Sequence, residues 1–355
     1  MVGSRVPYRV GLVGFGGRGR GLARFWQGLP GAELVAVADL LPELLDQAHE
    51  AYPGLACYAD HQAMLAEARL DVLTIATTGQ YHARITHDAC AVGIRGIYCE
   101  KPMACSLADA DAMIADCQAS GTVLLIGHER RWMEPIVQLR AAIRDGAIGR
   151  PTHGYVYWPT GRIGSNGTHF FDAINFMLDS APVEVVGRVQ RGLDLTKVED
   201  HPVYRTRLVD DPGAQGWVTY ANGVRLAIDC LNDVLLPYTY LFCGSRGRLD
   251  LEEVSWRIDY RARDADTRSH RDAWLPPARR DFPAPGEYVD GVAERASYRE
   301  LLACIETGAR PTSAGEDGRL ALETIVAFHL SAEAGMRPIT LPLPAAARGY
   351  QLTIH

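Results

Sequence analysis

An apolar run, Val10-Gly11-Leu12-Val13, leads into Gly14-Phe15-Gly16-Gly17-Arg18-Gly19, and a helical stretch continues from Gly21 to Gln27. A buried strand that turns through spaced glycines into a helix is compatible with few folds. The first glycine permits the tight turn, the second allows a ligand close to the backbone, and the third lets the helix lie against the strand. The helix N-terminus then offers N–H groups and a partial positive charge to phosphate. Asp39 stands twenty residues beyond Gly19, at the end of the apolar run Leu34-Val35-Ala36-Val37-Ala38. A carboxylate in that place accepts hydrogen bonds from ribose hydroxyls, and the whole reads as a dinucleotide site. The same charge repels a 2′-phosphate, and Leu40 and Leu41 supply no cation to offset it, so NAD(H) is favoured over NADP(H). No Walker lysine follows the glycines.

Apolar runs and helical stretches continue to alternate. A helix opens at Pro42, Val72–Ala76 is a strand, and a helix covers 83–91. Gly96–Cys99 is a strand, Ser106 N-caps a helix to about Cys117, and residues 122–126 close the series. Such alternation predicts a parallel sheet covered on both faces. After Gly127 the pattern changes: a helix over 133–144, then strands of alternating character. Asn222-Gly223 between two of them predicts a two-residue hairpin. The Arg-, Asp- and Pro-rich stretch 261–288 reads as an irregular excursion. Helices return at 293–306 and 318–334 before a short strand at 339–341.

At 355 residues the chain is long enough for two domains, and 47% hydrophobic with 22% charged residues describes a soluble globular protein. A net charge of −7 provides no basic excess for nucleic acid. Arg279 and Arg280 read as solvated loop charges. No apolar run approaches a membrane span and no signal peptide is recognisable, so the expected location is the cytoplasm. The eight cysteines, without C-x-x-C or zinc spacing, read as small buried hydrophobes in a reducing compartment. No H-x-H or H-E-x-x-H spacing points to a metal.

Of 36 basic side chains only two are lysines, and one, Lys101, sits in Glu100-Lys101-Pro102 after a strand. Only lysine of the two basic types can shed its proton near neutrality. Hydride transfer from an alcohol carbon requires a base for the hydroxyl proton, and a cationic nicotinamide would disfavour the ammonium form. Glu100 is placed to orient it. Thr77-Thr78-Gly79-Gln80, after the Val72–Ala76 strand, lines the cofactor cleft or is an ordinary strand-to-helix turn. A helix starting near Thr168 puts His169 and Asp172 on one face, where the carboxylate can fix the imidazole tautomer. His128, Arg131 and Trp132 follow the last parallel strand, as a wall for a polyhydroxylated ring or as packing and salt bridges. Tyr157, Trp158 and Arg162 are weaker wall candidates. Trp217, Tyr220 and Trp256 read as core or subunit contacts.

With these residues together the chain resembles the Gfo/Idh/MocA oxidoreductases, relatives of glucose–fructose oxidoreductase and inositol dehydrogenase. The likeness covers Gly14–Gly19 with Asp39, Glu100-Lys101-Pro102, Gly127–Trp132, Gly167-x-His169-x-x-Asp172, Gly244–Leu249 and the segment from Thr312 to Gly318. It implies an α/β protein. Residues 1–128 would form a Rossmann domain with a parallel sheet. Residues 129–355 would form an α/β domain with a large, open, predominantly antiparallel sheet, its terminal helix free to return to the first domain. Homodimers or homotetramers through that sheet, a cis peptide before Pro102, and Lys101 and His169 facing the reacting carbon are further implications. Many sugar and cyclitol dehydrogenases of the family have aspartate four residues before the histidine. Here Ser165 stands there with Asn166 beside it, which leaves Lys101 as the favoured proton carrier.

The expected cofactor contacts are Gly14, Phe15, Gly16, Gly17, Arg18, Gly19, Asp39, Thr77, Thr78, His82, Glu100 and Lys101. The expected contacts to a sugar-like substrate are Lys101, His128, Arg131, Trp132, Arg162, Ser165, Asn166, His169 and Asp172, with Lys101 and His169 catalytic. The resemblance favours an NAD-dependent oxidoreductase acting on a secondary alcohol or ketone of a sugar, cyclitol or derivative. It also leaves open a glycosidase that retains NAD for transient oxidation, and a non-catalytic sensor.

Overall fold

The structure, a computed structural model, describes residues 6–159, 161–190, 211–231, 237–252, 257–262, 278–281 and 291–354. Its contacts divide the chain into two units, Met1–Trp132 with Asp290–Arg319, and Met133–Val289 with Leu320–His355. The division differs from the expected 1–128 and 129–355, because residues 290–319 count with the first unit.

In the first unit the elements follow as β1 (Tyr8–Val13), α1 (Gly17–Trp26), β2 (Ala32–Ala38), α2 (Pro42–Ala51), β3 (Ala56–Tyr58), α3 (His61–Glu67) and β4 (Val72–Ile75). They continue with α4 (His82–Ala91), β5 (Gly96–Cys99), α5 (Leu107–Ser120) and β6 (Val123–Ile126). The six strands form one parallel sheet in the order β3-β2-β1-β4-β5-β6. β4 and β5 are buried at every residue, as strands covered on both faces must be. α5 begins where Ser106 Oγ accepts the Asp109 N–H at 3.1 Å and ends at Gly121, whose φ of +73° supplies a left-handed cap.

The helix α8 (Val292–Thr307) joins this unit through aromatic side chains. Tyr298 stacks on Trp26 of α1 at 3.9 Å and 6°, and Tyr98 of β5 meets Tyr298 edge-on at 4.9 Å. Trp26 and Tyr298 are fully buried. Truncating a tryptophan in such a place costs ~3–5 kcal/mol.

The second unit contains α6 (Glu134–Arg144), β7 (Pro151–Tyr157), α7 (Gly167–Leu178), β8 (Pro182–Val189), β9 (Ala214–Tyr220), β10 (Arg225–Asp229), β11 (Thr239–Gly244) and β12 (Gly247–Glu252). It also holds β13 (Arg257–Ala262), β14 (Ala278–Asp281), most of α9 (Gly315–Glu333), and β15 (Ile339–Thr340). Nine strands make one sheet, β14-β13-β12-β11-β7-β10-β9-β8-β15. Every neighbouring pair is antiparallel except β7 with β10. α7 is buried on nearly all sides, in keeping with a sequence that is apolar around most of its circumference.

Three expectations need correction. The Asn222-Gly223 hairpin closes with a three-residue loop: Tyr220 and Val224 face each other, and Gly223 N donates to Tyr220 O at 2.9 Å. In that loop only Gly223 has positive φ, +86°, whereas a two-residue type I′ turn needs it at both central residues. The stretch 261–288 is not wholly irregular, since Arg279 and Arg280 lie on β14, paired with Arg261 and Tyr260 of β13. β14 is an edge strand of that sheet. Cys57 is exposed and Cys90 and Cys243 are half-buried, so the buried reading holds for the other five cysteines. Trp256 lies outside the described residues.

Candidate active site

The carboxyl ends of β1, β2, β4 and β5 converge. Gly14 N donates to Ala38 O at 2.8 Å, Ala76 N to Val13 O at 2.8 Å, and Glu100 N to Ile75 O at 2.9 Å. Gly14 turns at φ +92°, where a Cβ would lie 2.8 Å from Ala76 O. A Cβ on Gly19 would fall 1.9 Å from Gly14 O, so the helix can approach the turn only through glycine. Cβ positions on Gly16 and Gly17 would meet nothing within 4 Å. Those two glycines face open space at the N-terminus of α1, which has no side-chain cap. The three glycine roles expected of the motif are therefore spatially separate.

Asp39 completes this cradle. Its Oδ2 accepts the Phe15 N–H at 2.6 Å and its Oδ1 the Leu41 N–H at 3.0 Å. The carboxylate thus sits against the glycine turn, with Leu40 and Leu41 exposed beside it. The Phe15 ring turns inward, 1% exposed and edge-on to Tyr52, so only its backbone borders the turn. The residues present suit a dinucleotide: small backbone-lined space for pyrophosphate and a carboxylate for ribose.

Glu100 is 3% exposed. Its Oε1 accepts from Arg18 Nε at 2.8 Å and its Oε2 from the Lys101 backbone N–H at 3.3 Å. It therefore orients Lys101 through the main chain. Arg18 also reaches Glu294 of α8, Nη1 to Oε1 at 3.1 Å. Burial pushes the Glu129 carboxyl up, and the charges of Arg18, Arg130 and Lys101 oppose that rise while Glu100 adds to it. Lys101 itself is half-buried, and the Lys101–Pro102 peptide is cis. Glu294 had no signal in the sequence, and Glu129, though inside the Gly127–Trp132 segment, was not singled out there.

His82 was expected at the cofactor and is buried at 0% exposure. Its Nε2 lies 3.0 Å from Thr77 O and its Nδ1 3.3 Å from both Met103 O and Cys99 Sγ. Burial pulls its pKa below the ordinary value, against the Thr77 carbonyl. A neutral ring with Nε2–H donating to Thr77 O braces the Thr77-Thr78 turn from behind. Thr77 and Thr78 are themselves partly exposed at the end of β4. His128 and Arg131 are likewise interior. His128 Nδ1 lies 3.5 Å from Ser313 Oγ, and Arg131 bonds Thr312 O and pairs with Asp317 at 3.4 Å. Trp132 Nε1 donates to Glu300 Oε2 at 2.8 Å. All three contact residues 300–317, as the packing alternative describes.

In the second unit, α7 carries Thr168, His169 and Asp172 as expected, with His169 half-buried and Asp172 at 0% exposure. The approach to it is held by Asp211, which the sequence reading missed. Its two oxygens accept the N–H groups of Gly164 at 2.7 Å and Ser165 at 2.8 Å, and Arg162 Nε is 4.0 Å away. Burial pushes the Asp211 carboxyl up, and those N–H groups with Arg162 pull it back. Arg162 has φ +60°, and its carbonyl accepts from Asn166 N at 2.8 Å. Trp158 is core, stacked on Phe170 at 4.4 Å, and Tyr157 is 4% exposed, so neither is wall.

Comparison with known proteins decides the lineage. Residues 8–128 match the model of the Gfo/Idh/MocA oxidoreductase family's NAD-binding Rossmann fold, and residues 154–341 that of its C-terminal alpha/beta domain. The chain belongs to the Gfo/Idh/MocA oxidoreductase family. Among curated members it is similar to D-apiose dehydrogenase of Paraburkholderia graminis, 29% identical over 92% of this chain and 88% of that one. Myo-inositol 2-dehydrogenase of Thermotoga maritima is 23% identical over 88% and 93%. Levoglucosan dehydrogenase in complex with NADH superposes with a TM-score of 0.80 at 18% identity, covering 95% of this chain and all 100% of that structure, a likeness of fold. This Gfo/Idh/MocA member is thus an oxidoreductase with an NAD-binding Rossmann domain. Among the described residues no helix is long and apolar enough to cross a membrane.

Proposed function

We propose that the chain is an NAD-dependent dehydrogenase acting on a secondary alcohol, or the matching ketone, of a sugar, cyclitol or sugar derivative. The observation that carries this reading is the Asp39 carboxylate against the glycine turn, with the Lys101 loop at the end of β5 on the same carboxyl edge of the sheet. Gly14, Gly16, Gly17 and Gly19 with the α1 N-terminus would hold the pyrophosphate, and Asp39 the adenosine ribose. The bound nicotinamide supplies the hydride acceptor. Lys101 Nζ takes the hydroxyl proton as the carbon–hydrogen bond breaks, and His169 hydrogen-bonds the same substrate oxygen. Glu100 fixes the Lys101 main chain, and the neutral Ser165 before His169 leaves the proton with lysine.

The relatives named for apiose, inositol and levoglucosan support polyhydroxylated rings as the substrate class. NAD is preferred to NADP because Asp39 repels a 2′-phosphate and its exposed neighbours Leu40 and Leu41 are neutral. The free cysteines agree with a cytoplasmic location. Association of copies through the nine-stranded sheet belongs to the same reading. A spectrophotometric screen of sugars, cyclitols and sugar nucleotides for NADH formation tests it. Turnover that Lys101→Ala removes, with dinucleotide binding retained, is the expected result. Failure of the purified protein to bind either dinucleotide would end the reading.

A further inference from the structure

α4 and α5 lie side by side, and their last turns place Cys90 and Cys117 together, sulfur to sulfur at 3.7 Å. Neither of these two serves the nucleotide cradle. Cys90 is half-buried and Cys117 is 3% exposed. The pair is asymmetric. Either thiol can donate across this contact. Cys90 is the more exposed of the two, and its neighbours Cys117, Ser120 and Thr122 pull its thiol below the ordinary value. The more exposed thiol is the one an oxidant reaches first, and its thiolate form is the nucleophile. Half-buried Cys90 is itself open to solvent, and Cys117 borders a surface cleft of about 180 Å³ with Gln118, Thr122, Arg310 and Glu316. Closing a disulfide requires the two sulfurs to approach by less than ~2 Å.

We infer that Cys90 and Cys117 form a dithiol modification site that hydroperoxides convert to a disulfide between α4 and α5. The Cys90 thiolate attacks a peroxide oxygen, the O–O bond breaks, and the departing alkoxide or hydroxide takes up a proton. Cys90 is then a sulfenic acid. The Cys117 sulfur attacks the Cys90 sulfur, the S–S bond forms as the S–O bond breaks, and the Cys117 proton leaves with hydroxide as water. Two thiols lose two protons and two electrons, and one hydroperoxide becomes one alcohol (or water) and one water. α4 follows the Thr77-Thr78 turn and α5 follows the Glu100-Lys101-Pro102 loop. The bond thus ties the two helices that carry those loops. A thiol reductant reverses it.

The test uses the whole reduced protein treated with stoichiometric hydrogen peroxide, followed by intact-mass measurement and non-reducing peptide mapping. A loss of two hydrogens, mapped to Cys90–Cys117 and restored by dithiothreitol, is expected, with a raised melting temperature for the oxidised form. Cys90→Ser and Cys117→Ser should each abolish the mass loss, and Cys117→Ser should instead trap an added oxygen on Cys90. Preferential oxidation of other cysteines, or oxygen addition at Cys90 of the unaltered protein with no disulfide, overturns the proposal. Mapping the unaltered protein decides the matter even if a variant folds poorly.

Discussion

Arg18 Nε donates to Glu100 Oε1 at 2.8 Å, while its Nη1 reaches Glu294 Oε1 at 3.1 Å. One guanidinium at the start of α1 therefore joins the glycine turn to the Lys101 loop and to α8. The two carboxylates are nearly buried, at 5% and 4% side-chain exposure, and Arg18 is 41% exposed. Stripping the partner from a wholly buried ion pair costs ~3–5 kcal/mol, and solvent screening at Arg18 reduces this to ~1–3 kcal/mol. Arg18→Gln is expected to lose that much unfolding free energy at pH 7. Glu294→Gln in the same background should recover part of it, since one uncompensated charge is removed. Urea titrations of the four proteins in the cycle check this, and strictly additive losses would contradict it.

Two glycines of one motif should behave oppositely when each becomes alanine. Gly19→Ala drives a methyl into Gly14 O and C, both backbone, so the strand and helix must separate, at ~3 kcal/mol or more. Gly16→Ala places its methyl in open space at φ −64° and should cost within ~1 kcal/mol. That open space is where pyrophosphate is proposed to sit, so NADH affinity should fall at least ~tenfold, or ~1.4 kcal/mol. Thermal melts without nucleotide and fluorescence titration with NADH separate the two effects. Unchanged NADH binding in Gly16→Ala would place the dinucleotide elsewhere.

His82 makes folding pH-dependent in a definite direction. Burial lowers its pKa in the folded chain, so below the unfolded value of ~6.5 the unfolded chain binds a proton that the folded chain refuses. Stability from this group is present above that pH and is lost as pH falls toward the folded pKa, by up to ~1.4 kcal/mol per pH unit. Denaturant midpoints between pH 7.5 and 5.5 (~two units) should fall less steeply for His82→Asn than for the unaltered chain. Parallel slopes would assign the acid sensitivity to other histidines.

The Rossmann unit was legible because its determinants are local: a strand, three spaced glycines, a helix and one carboxylate at a fixed distance along the chain. The same holds for α5, announced by Ser106 and closed by Gly121. Long-range partners were not legible. Arg18 meets Glu100 and Glu294 across 82 and 276 residues, and no local pattern tells a guanidinium which carboxylate it will find. Asp211 was invisible for the same reason, since it serves backbone groups of Gly164 and Ser165 and matches no side-chain motif. His128 and Arg131 were read two ways, as ligand wall or as packing, and their contacts to the returning segment around Thr312 and Ser313 lie beyond any local pattern. Asn222-Gly223 was ambiguous in principle, because both a two-residue and a three-residue loop want glycine at the same place.

Among the described residues, one face of the nine-stranded sheet carries exposed side chains, and its register says what that face offers. Val186 of β8 pairs with Trp217 of β9, Trp217 with Ala227 of β10, Ala227 with Tyr155 of β7, and Tyr155 with Leu241 of β11. Trp217 is 56% and Tyr155 37% exposed, whereas Val218 and Val156, one residue on, are at 0%. The strands therefore alternate between a packed face and an outward row that is apolar across five strands, of a kind that soluble monomers seldom leave uncovered. On the association proposed above, a second copy presenting the same row would cover it through a two-fold contact. Trp217→Arg puts a charge at the centre of that row without touching the packed face. It should lower the mass measured by light scattering to that of a single chain while leaving the far-ultraviolet circular dichroism unchanged. If the unaltered protein already scatters as a monomer at micromolar concentration, association through this face is excluded and the tryptophan must serve another purpose.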